Sequence, residues 1–321
     1  MELLVAYQKD PAGHNIAKFI SKELEKNDHV YKGKDFDLAI ISSPAISADW
    51  LEEKFDYDGY IFLSKHAAES GVLALTCHNT GNFSDANFGG YSRQVSVPHP
   101  HIQKSYIQNL WNARGKFPEF QITIEATHHG PTALNKPALF IEIGTTEKEW
   151  NDVDLCNSVG QIIVDVMKEQ QKSYPIAICF GGTHYPEKFT NELIHGKYSL
   201  GTVIPKHALD HIDQSLFSHI IKRNIGATTA LLDWNGMGKN KRCVKQGSKK
   251  GRKGARVGKK EVYVIKVRSL RYRLKIAKDR KEITNKEFWE LYKKIGGNTV
   301  RNIAHLRTLI EEITSKQKGQ K

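Results

Sequence analysis

Residues 122–150 constrain the fold of this chain more than any other stretch; they read ITIEATHHGPTALNKPALFIEIGTTEKEW. An apolar run over 122–126 leads into two adjacent histidines, His128 and His129. Gly130-Pro131 then turns the chain, because glycine permits unusual φ and proline fixes it. A second apolar run over 138–143 carries one carboxylate, Glu142, and closes at Gly144 before an amphipathic helix. Two such strands, once buried, deliver two imidazoles and a carboxylate to one region. Buried polar groups are paired or used. The stretch therefore reads either as a functional site or as hydrogen-bonded core histidines with a structural Glu, and these residues alone leave both open.

The same alternation recurs along the chain. Short apolar runs at 3–6, 38–41, 60–63, 72–76, 176–180, 199–204 and 230–234 read as strands. Between them lie one-sided helical stripes, such as Ile16, Phe19 and Ile20, or Ile102, Tyr106 and Leu110. The longest stripe is Leu155, Val159, Ile162, Ile163 and Val166. Residues 83–98, with Gly89-Gly90 and Pro98, read as a loop. The pattern predicts an α/β body with a mixed, largely parallel sheet flanked by helices.

Charge divides the chain in two. Its formal net charge of +13 conceals a tail, residues 239–321, with 27 Lys/Arg against 7 Asp/Glu, a net of +20. The remaining 21 basic and 28 acidic residues leave the body at −7. A tail of that sign seeks polyanions such as RNA, DNA or an anionic surface. Residues 239–260 are basic, glycine-rich and short of large apolar side chains, so they read as a linker. Three helices are expected after it, one marked by Val267, Leu270 and Leu274, one opened by a Thr284/Glu287 capping box, and one marked by Ile303, Leu306 and Ile310. No apolar run approaches the ~20 residues of a membrane span, no leader precedes the first strand, and Cys77, Cys156, Cys179 and Cys243 form no CxxC pair. A cytoplasmic monomer with reduced thiols and no membrane partner is the expectation.

The polar residues collect where these strands end. His78 follows the 72–76 run, His128 and His129 follow a second, His184 follows a third after Gly181-Gly182, and Glu142 lies near the end of a fourth. Ligands of open α/β sheets bind outside the carboxyl ends of the strands. Imidazoles and a carboxylate suit zinc with an open position, or else a metal-free His or Glu general base. The metal signal is diffuse, since there is no HExxH and no Cys/His finger spacing. No G-x-S-x-G elbow is present, and Cys77 and Cys179 read as core thiols.

Six strings in order, CHNTGNF, EATHHGPT, FIEIGTTEKEW, GGTHYPEKFT, IPKHAL and LLDW, resemble the archaeal and plant type of D-aminoacyl-tRNA deacylase over about residues 1–235. That resemblance implies a peptidyl-tRNA hydrolase- or phosphorylase-like fold, zinc as the cofactor, and hydrolysis of the ester joining a D-amino acid to tRNA, a step of translation quality control. It implies catalytic or zinc-binding roles for His78, His128, His129, Glu142 and His184. It also implies substrate contacts from His66, Asn79, Thr80, Gly81, Asn82, Gly181, Gly182, Thr183 and Lys206. The chain departs from the family at Gly201-Thr202-Val203, where the family carries Gly-His-Ile. A peptidyl-tRNA hydrolase or zinc amidohydrolase of the same fold is an alternative, and so is a non-catalytic ribosome-associated protein.

The tail carries a second resemblance. KKGRKGARVGKKE and the stretch from RSLRYRL to NIAHLRTLI resemble the C-terminal half of the large-subunit ribosomal protein numbered nineteen in archaea and eukaryotes. This implies contact with tRNA or rRNA of the large subunit through Lys249, Lys250, Arg252, Lys253, Arg256, Lys259, Lys260, Arg268, Arg271 and Arg273. The expected organisation is a deacylase-like body over 1–238, a linker over 239–260 and a small helical segment over 261–321. Within the body, strand alternation predicts that His128 and His129 point to opposite faces and play unequal roles.

Overall fold

The structure is a computed structural model that describes residues 1–68, 71–237 and 259–318. The chain divides into two units, Met1–Arg242 and Cys243–Lys321. The basic stretch that reads as a linker lies largely outside the described residues, as do Lys249, Lys250, Arg252, Lys253 and Arg256; Lys259 and Lys260 are described in their helical backbone alone.

The first unit is built on one large sheet. From edge to edge its strands are β10 (Gln121–Ile124), β6 (Ala74–His78), β11 (Pro137–Gly144), β5 (Gly59–His66), β1 (Glu2–Tyr7), β4 (Phe36–Ile41), β3 (Val30–Lys32) and β2 (Glu25–Asn27), and a short β9 (Val97–Pro98) adds to β11. The β2–β3 hairpin is not foreshadowed by any apolar alternation, because its residues are mostly polar and exposed. β1, β4, β5 and β11 run parallel to one another. β6 runs antiparallel to β11, and β10 runs parallel to β6. The sheet is thus mixed and largely parallel, as expected. Its reversal at β6 corrects the expected placement of the histidines: the carboxyl ends of β6 and β11 point opposite ways, so one sheet end cannot gather them all.

The site instead lies on a face. Side chains alternate along β11. Leu139, Ile141 and Ile143 enter the larger core with Leu4, Ile61, Leu75 and the helices α1 (Pro11–Ile20), α3 (Pro100–Asn112) and α5 (Val153–Lys168). Ala138 and Phe140 enter a smaller core on the other face with Leu3, Val5, Tyr60 and Phe62. Glu142 continues that second face. Register sets Glu142 opposite Ser64 and Thr76, and Phe140 opposite Phe62 and His78. One face therefore changes from apolar to polar within two residues.

Within residues 83–98, β8 (Gln94–Val95) pairs with β7 (Gly81–Asn82), which directly precedes the stretch, so it is partly ordered by strand pairing. A second, parallel sheet has the order β13 (Ser199–Ile204), β12 (Ile176–Phe180), β14 (Ala227–Leu232). Two short helices, α2 (Leu51–Lys54) and α4 (Glu147–Trp150), and the longer α6 (Glu187–His195) and α7 (Gln214–Arg223) complete the unit. The two sheets meet beside β10, where Ala126 N–H donates to His184 O at 2.8 Å and Thr127 N–H to Val203 O at 2.9 Å.

The second unit holds α8 (Lys259–Asp279), α9 (Asn285–Gly296) and α10 (Ile303–Lys318) around Leu270, Leu274, Leu291, Ile295 and Leu306. The Thr284/Glu287 capping box opens α9 as its sequence requires.

Candidate active site

Two buried carboxylates organise the site, and sequence reasoning identified one of them. Glu142 stands on β11. Glu125 follows β10 directly and is almost fully buried. The signal for Glu125 was the one that singled out Glu142, a lone carboxylate in an apolar run, but it was absorbed into the 122–126 run. His66 bridges the pair, with Nδ1 3.2 Å from Glu125 Oε1 and 3.2 Å from Glu142 Oε2. Its other nitrogen meets the Tyr185 hydroxyl at 2.5 Å. Thr76 Oγ1 donates to Glu125 Oε1 at 2.5 Å, and His184 Nε2 lies 2.8 Å from Glu125 Oε2. Tyr185 and Thr76, like Glu125, escaped the sequence reading.

His78, His128 and His129 form a tighter group. The His78 ring lies 4.1 Å from that of His128 and 4.7 Å from that of His129, and the latter two are 4.4 Å apart. The expected strand alternation across 128–129 does not hold. β10 ends at Ile124, and His129 takes a left-handed φ of 44°, which turns both rings toward His78. His78 Nδ1 is 3.3 Å from Asn79 O, His128 Nδ1 is 2.9 Å from Ala126 O, and His129 Nδ1 is 2.7 Å from Gly130 O. A carbonyl only accepts, so each Nδ1 carries a hydrogen, and in the neutral ring it is Nε2 that offers the lone pair. The buried His78 Nε2 has no hydrogen-bond partner; Glu142 Oε1 at 3.7 Å is too far for one.

Burial and charge compete throughout the cluster. Burial opposes ionisation of Glu125, but the hydrogen bond from His184 prevails and holds its carboxyl at about 2. Burial likewise opposes charge on Glu142, and His66 and His78 hold its pKa low. Burial disfavours a proton on His66 and on His78, yet Glu142 raises both above the usual histidine range. Burial, then the neighbouring His78, depress His128 strongly and bring His129 down to about 4. Burial raises the Tyr185 hydroxyl to about 12, so it remains a donor at neutral pH.

Three groups in this cluster have ligand atoms within 4.8 Å of one another: His78, His128 and His129; Glu125, His128 and His184; His66, Glu125 and Glu142. Three imidazoles grouped within that distance, each with Nδ1 on a carbonyl, and an unpartnered buried Nε2 fit a zinc ion. The cluster opens into a cleft of about 610 Å³, with Asp10, Ser64, His66 and Glu142 at its buried side and Pro44, Lys65, Phe88 and His184 exposed.

The other expected contact residues sit elsewhere. Asn79, Thr80, Gly81 and Asn82 are buried behind the histidine turn. Asn79 donates to Gly201 O, Thr80 to Pro131 O and Asn82 to Gly89 O, and Gly81 N–H donates to His129 O. They shape the turn and do not line the cleft. Gly181 and Gly182 take left-handed φ values of 102° and 83°, which lets β12 swing His184 toward Glu125. Thr183 is exposed and closes its own turn on Tyr185 O, and Lys206 is exposed. Thr202, at the point of departure from the family, is buried, and its hydroxyl accepts from Asn224 at 2.8 Å.

Comparisons with known proteins give relatives for both parts of the chain. Residues 53–252 match the family described as D-aminoacyl-tRNA deacylase, and residues 235–314 match the family described as Ribosomal protein L19e, C-terminal domain. A D-aminoacyl-tRNA deacylase of Cenarchaeum symbiosum is 54% identical over 244 residues, covering 76% of this chain and 95% of that one. One from Archaeoglobus fulgidus is 30% identical over 69% of this chain and 84% of its own length. A crystal structure of a conserved protein of unknown function superposes with a TM-score of 0.71 at 27% identity, covering 76% of this chain and 90% of the other.

Proposed function

The chain belongs to the D-aminoacyl-tRNA deacylase family, and from that premise we propose how its site performs the hydrolysis. The enzyme cleaves the ester of D-aminoacyl-tRNA to free D-amino acid and tRNA. Glu125 accepts from His184 Nε2, which leaves His184 Nδ1 with the lone pair of a general base. His184 takes a proton from water as the water oxygen bonds to the acyl carbon. The ester C–O bond then breaks, and the same proton passes to the ribose oxygen that leaves. Tyr185 and His66 keep Glu125 and Glu142 in place. His78, His128 and His129 would hold zinc. When bound, that ion would polarise the carbonyl and lower the pKa of water. The observation that carries this reading is the grouping of His78, His128 and His129, each of which offers a ligand atom within 4.8 Å of the others while its Nδ1 faces a backbone carbonyl.

Deacylation of matched D- and L-aminoacyl-tRNA, with and without a chelator, tests it. Turnover of the D-ester alone, lost on chelation by ~10²-fold or more and restored by zinc, is expected. Full turnover in metal-free protein would leave His184 and Glu125 as a metal-free base pair.

We propose further that the tail, residues 239–321, adds RNA affinity through Lys/Arg contacts to phosphate, with tRNA or the large ribosomal subunit as its partner. Its net charge of +20 and its match to a ribosomal-protein domain support this. Arg268 and Arg273 are exposed on α8. Arg271 is partly buried and is committed to the Tyr292 ring at 4.0 Å. A chain ending at residue 238 should bind tRNA more weakly and with a smaller salt slope, at unchanged saturated turnover. The three described cysteines are free thiols, consistent with a reducing cytoplasm. No helix among the described residues is long and apolar enough to cross a membrane.

A further inference from the structure

Phe88 is 70% exposed, yet the backbone that carries it is firmly held. Gly130 N–H donates to Phe88 O at 3.0 Å, and Asn82 Nδ2 donates to Gly89 O at 2.9 Å. Tyr91 N–H donates to Thr132 Oγ1 at 2.8 Å. Gly89 has a φ of 75°, and a Cβ there would come 2.0 Å from Ile46 O, so the loop lies directly against the cleft wall. A large apolar ring is thus kept in water by an anchored backbone, on a cleft whose buried side is the His/Glu cluster. Lys65 also lines the cleft and is exposed, with Nζ 4.7 Å from the Trp150 ring centre.

The chemistry of the substrate says what this rim meets. An aminoacyl ester is the extreme tip of its RNA. If the acyl carbonyl reaches the buried carboxylates and imidazoles, the amino-acid part goes in with it. The terminal nucleoside and its phosphate then follow outward, at the rim. We propose that Phe88 stacks on the 3′-terminal base of the acylated RNA and that Lys65 meets the phosphate behind it. This rests on the hydrolase reading above. An aromatic ring beside a cation is the usual way to hold an unpaired nucleotide without reading its identity.

The test uses the full-length protein with Phe88→Ala and Phe88→Trp. Base stacking on an aromatic contributes about 1–3 kcal/mol by alanine substitution, which converts to a KM for D-aminoacyl-tRNA raised ~5- to 150-fold in Phe88→Ala. Turnover at saturation should stay within about twofold, and Phe88→Trp should restore KM. A second measurement compares binding of uncharged tRNA with the same tRNA lacking its terminal nucleotide, at salt high enough to screen the tail. The native protein should prefer the intact RNA ~5-fold or more, and Phe88→Ala should bind both alike. An unchanged KM overturns the proposal. So does a KM penalty that varies between D-alanyl and D-tyrosyl esters while the preference for intact RNA survives, since the ring would then meet the acyl group. A native protein that does not hydrolyse the ester at all refutes the hydrolase reading, and the binding comparison still judges Phe88.

Discussion

Two polar clusters in the same unit solve the problem of burying charge in different ways. Lys104, on α3, is 0% exposed, and its ammonium lies 2.9–3.3 Å from four backbone carbonyls, those of Glu192, Leu193, Gly196 and Tyr198. These close the C-terminal end of α6, where unsatisfied carbonyls and the negative end of the helix dipole favour a cation. Burial still lowers the Lys104 pKa, but every donor has a partner. The His/Glu cluster is the opposite case. It crowds two carboxylates and five imidazoles around a cleft, leaves His78 Nε2 without a partner, and commits three Nδ1 atoms to carbonyls so that the other ring nitrogens are left over. A buried charge is therefore not itself a sign of function. The sign is donor or acceptor capacity left over once the fold has been satisfied.

Substitutions can break or sharpen that contrast. Glu125→Gln keeps the shape and removes the charge that orients His184, so single-turnover deacylation should fall ~10²- to 10⁴-fold with the fold retained by circular dichroism. Wild-type rates in that variant would remove Glu125 from the chemistry. Lys104→Met should do the reverse. Four carbonyls lose their donor, and denaturant unfolding should show a loss of about 2–4 kcal/mol, with turnover of the folded fraction within about twofold. A large fall in turnover with no loss of stability would erase the distinction between the clusters.

His128→Ala and His129→Ala come next. Both rings face His78, so each should lose turnover by ~10²-fold or more, to similar degrees, with at most partial rescue by added zinc. A gap of more than about thirtyfold between them would restore the unequal roles that strand alternation predicts. The smallest effect belongs to a third, satisfied group. Asp37 is buried and accepts from Tyr57 at 2.6 Å, Lys32 at 2.7 Å and Gly33 N at 3.0 Å. Burial works against its charge, but these donors prevail and its pKa is lowered. Its contribution should be present above the unfolded carboxylate value near ~3.9 and disappear as pH falls through the lower folded value. Asp37→Asn should cost about 1–2 kcal/mol at neutral pH and flatten that acid limb, with catalysis unaffected.

The amino-acid order alone was enough to specify the α/β class, most of the strands, the capping box at Thr284, the split between an acidic body and a basic tail, and six of the residues that meet at the site, His66 among them. These follow from local rules: apolar period, turn chemistry, cap spacing and charge count act within a few residues. Other features were decided only when distant segments met. Antiparallel pairing of β6 with β11 moved the site from a sheet end to a sheet face. A left-handed φ at His129 overrode strand alternation and set both histidines on one side. Glu125, Thr76 and Tyr185 acquired their partners from 49, 59 or 119 positions away in the chain. Register and pairing direction depend on the burial of whole faces, and a carboxylate gains an imidazole partner only when tertiary packing removes its water and brings the two within 3 Å.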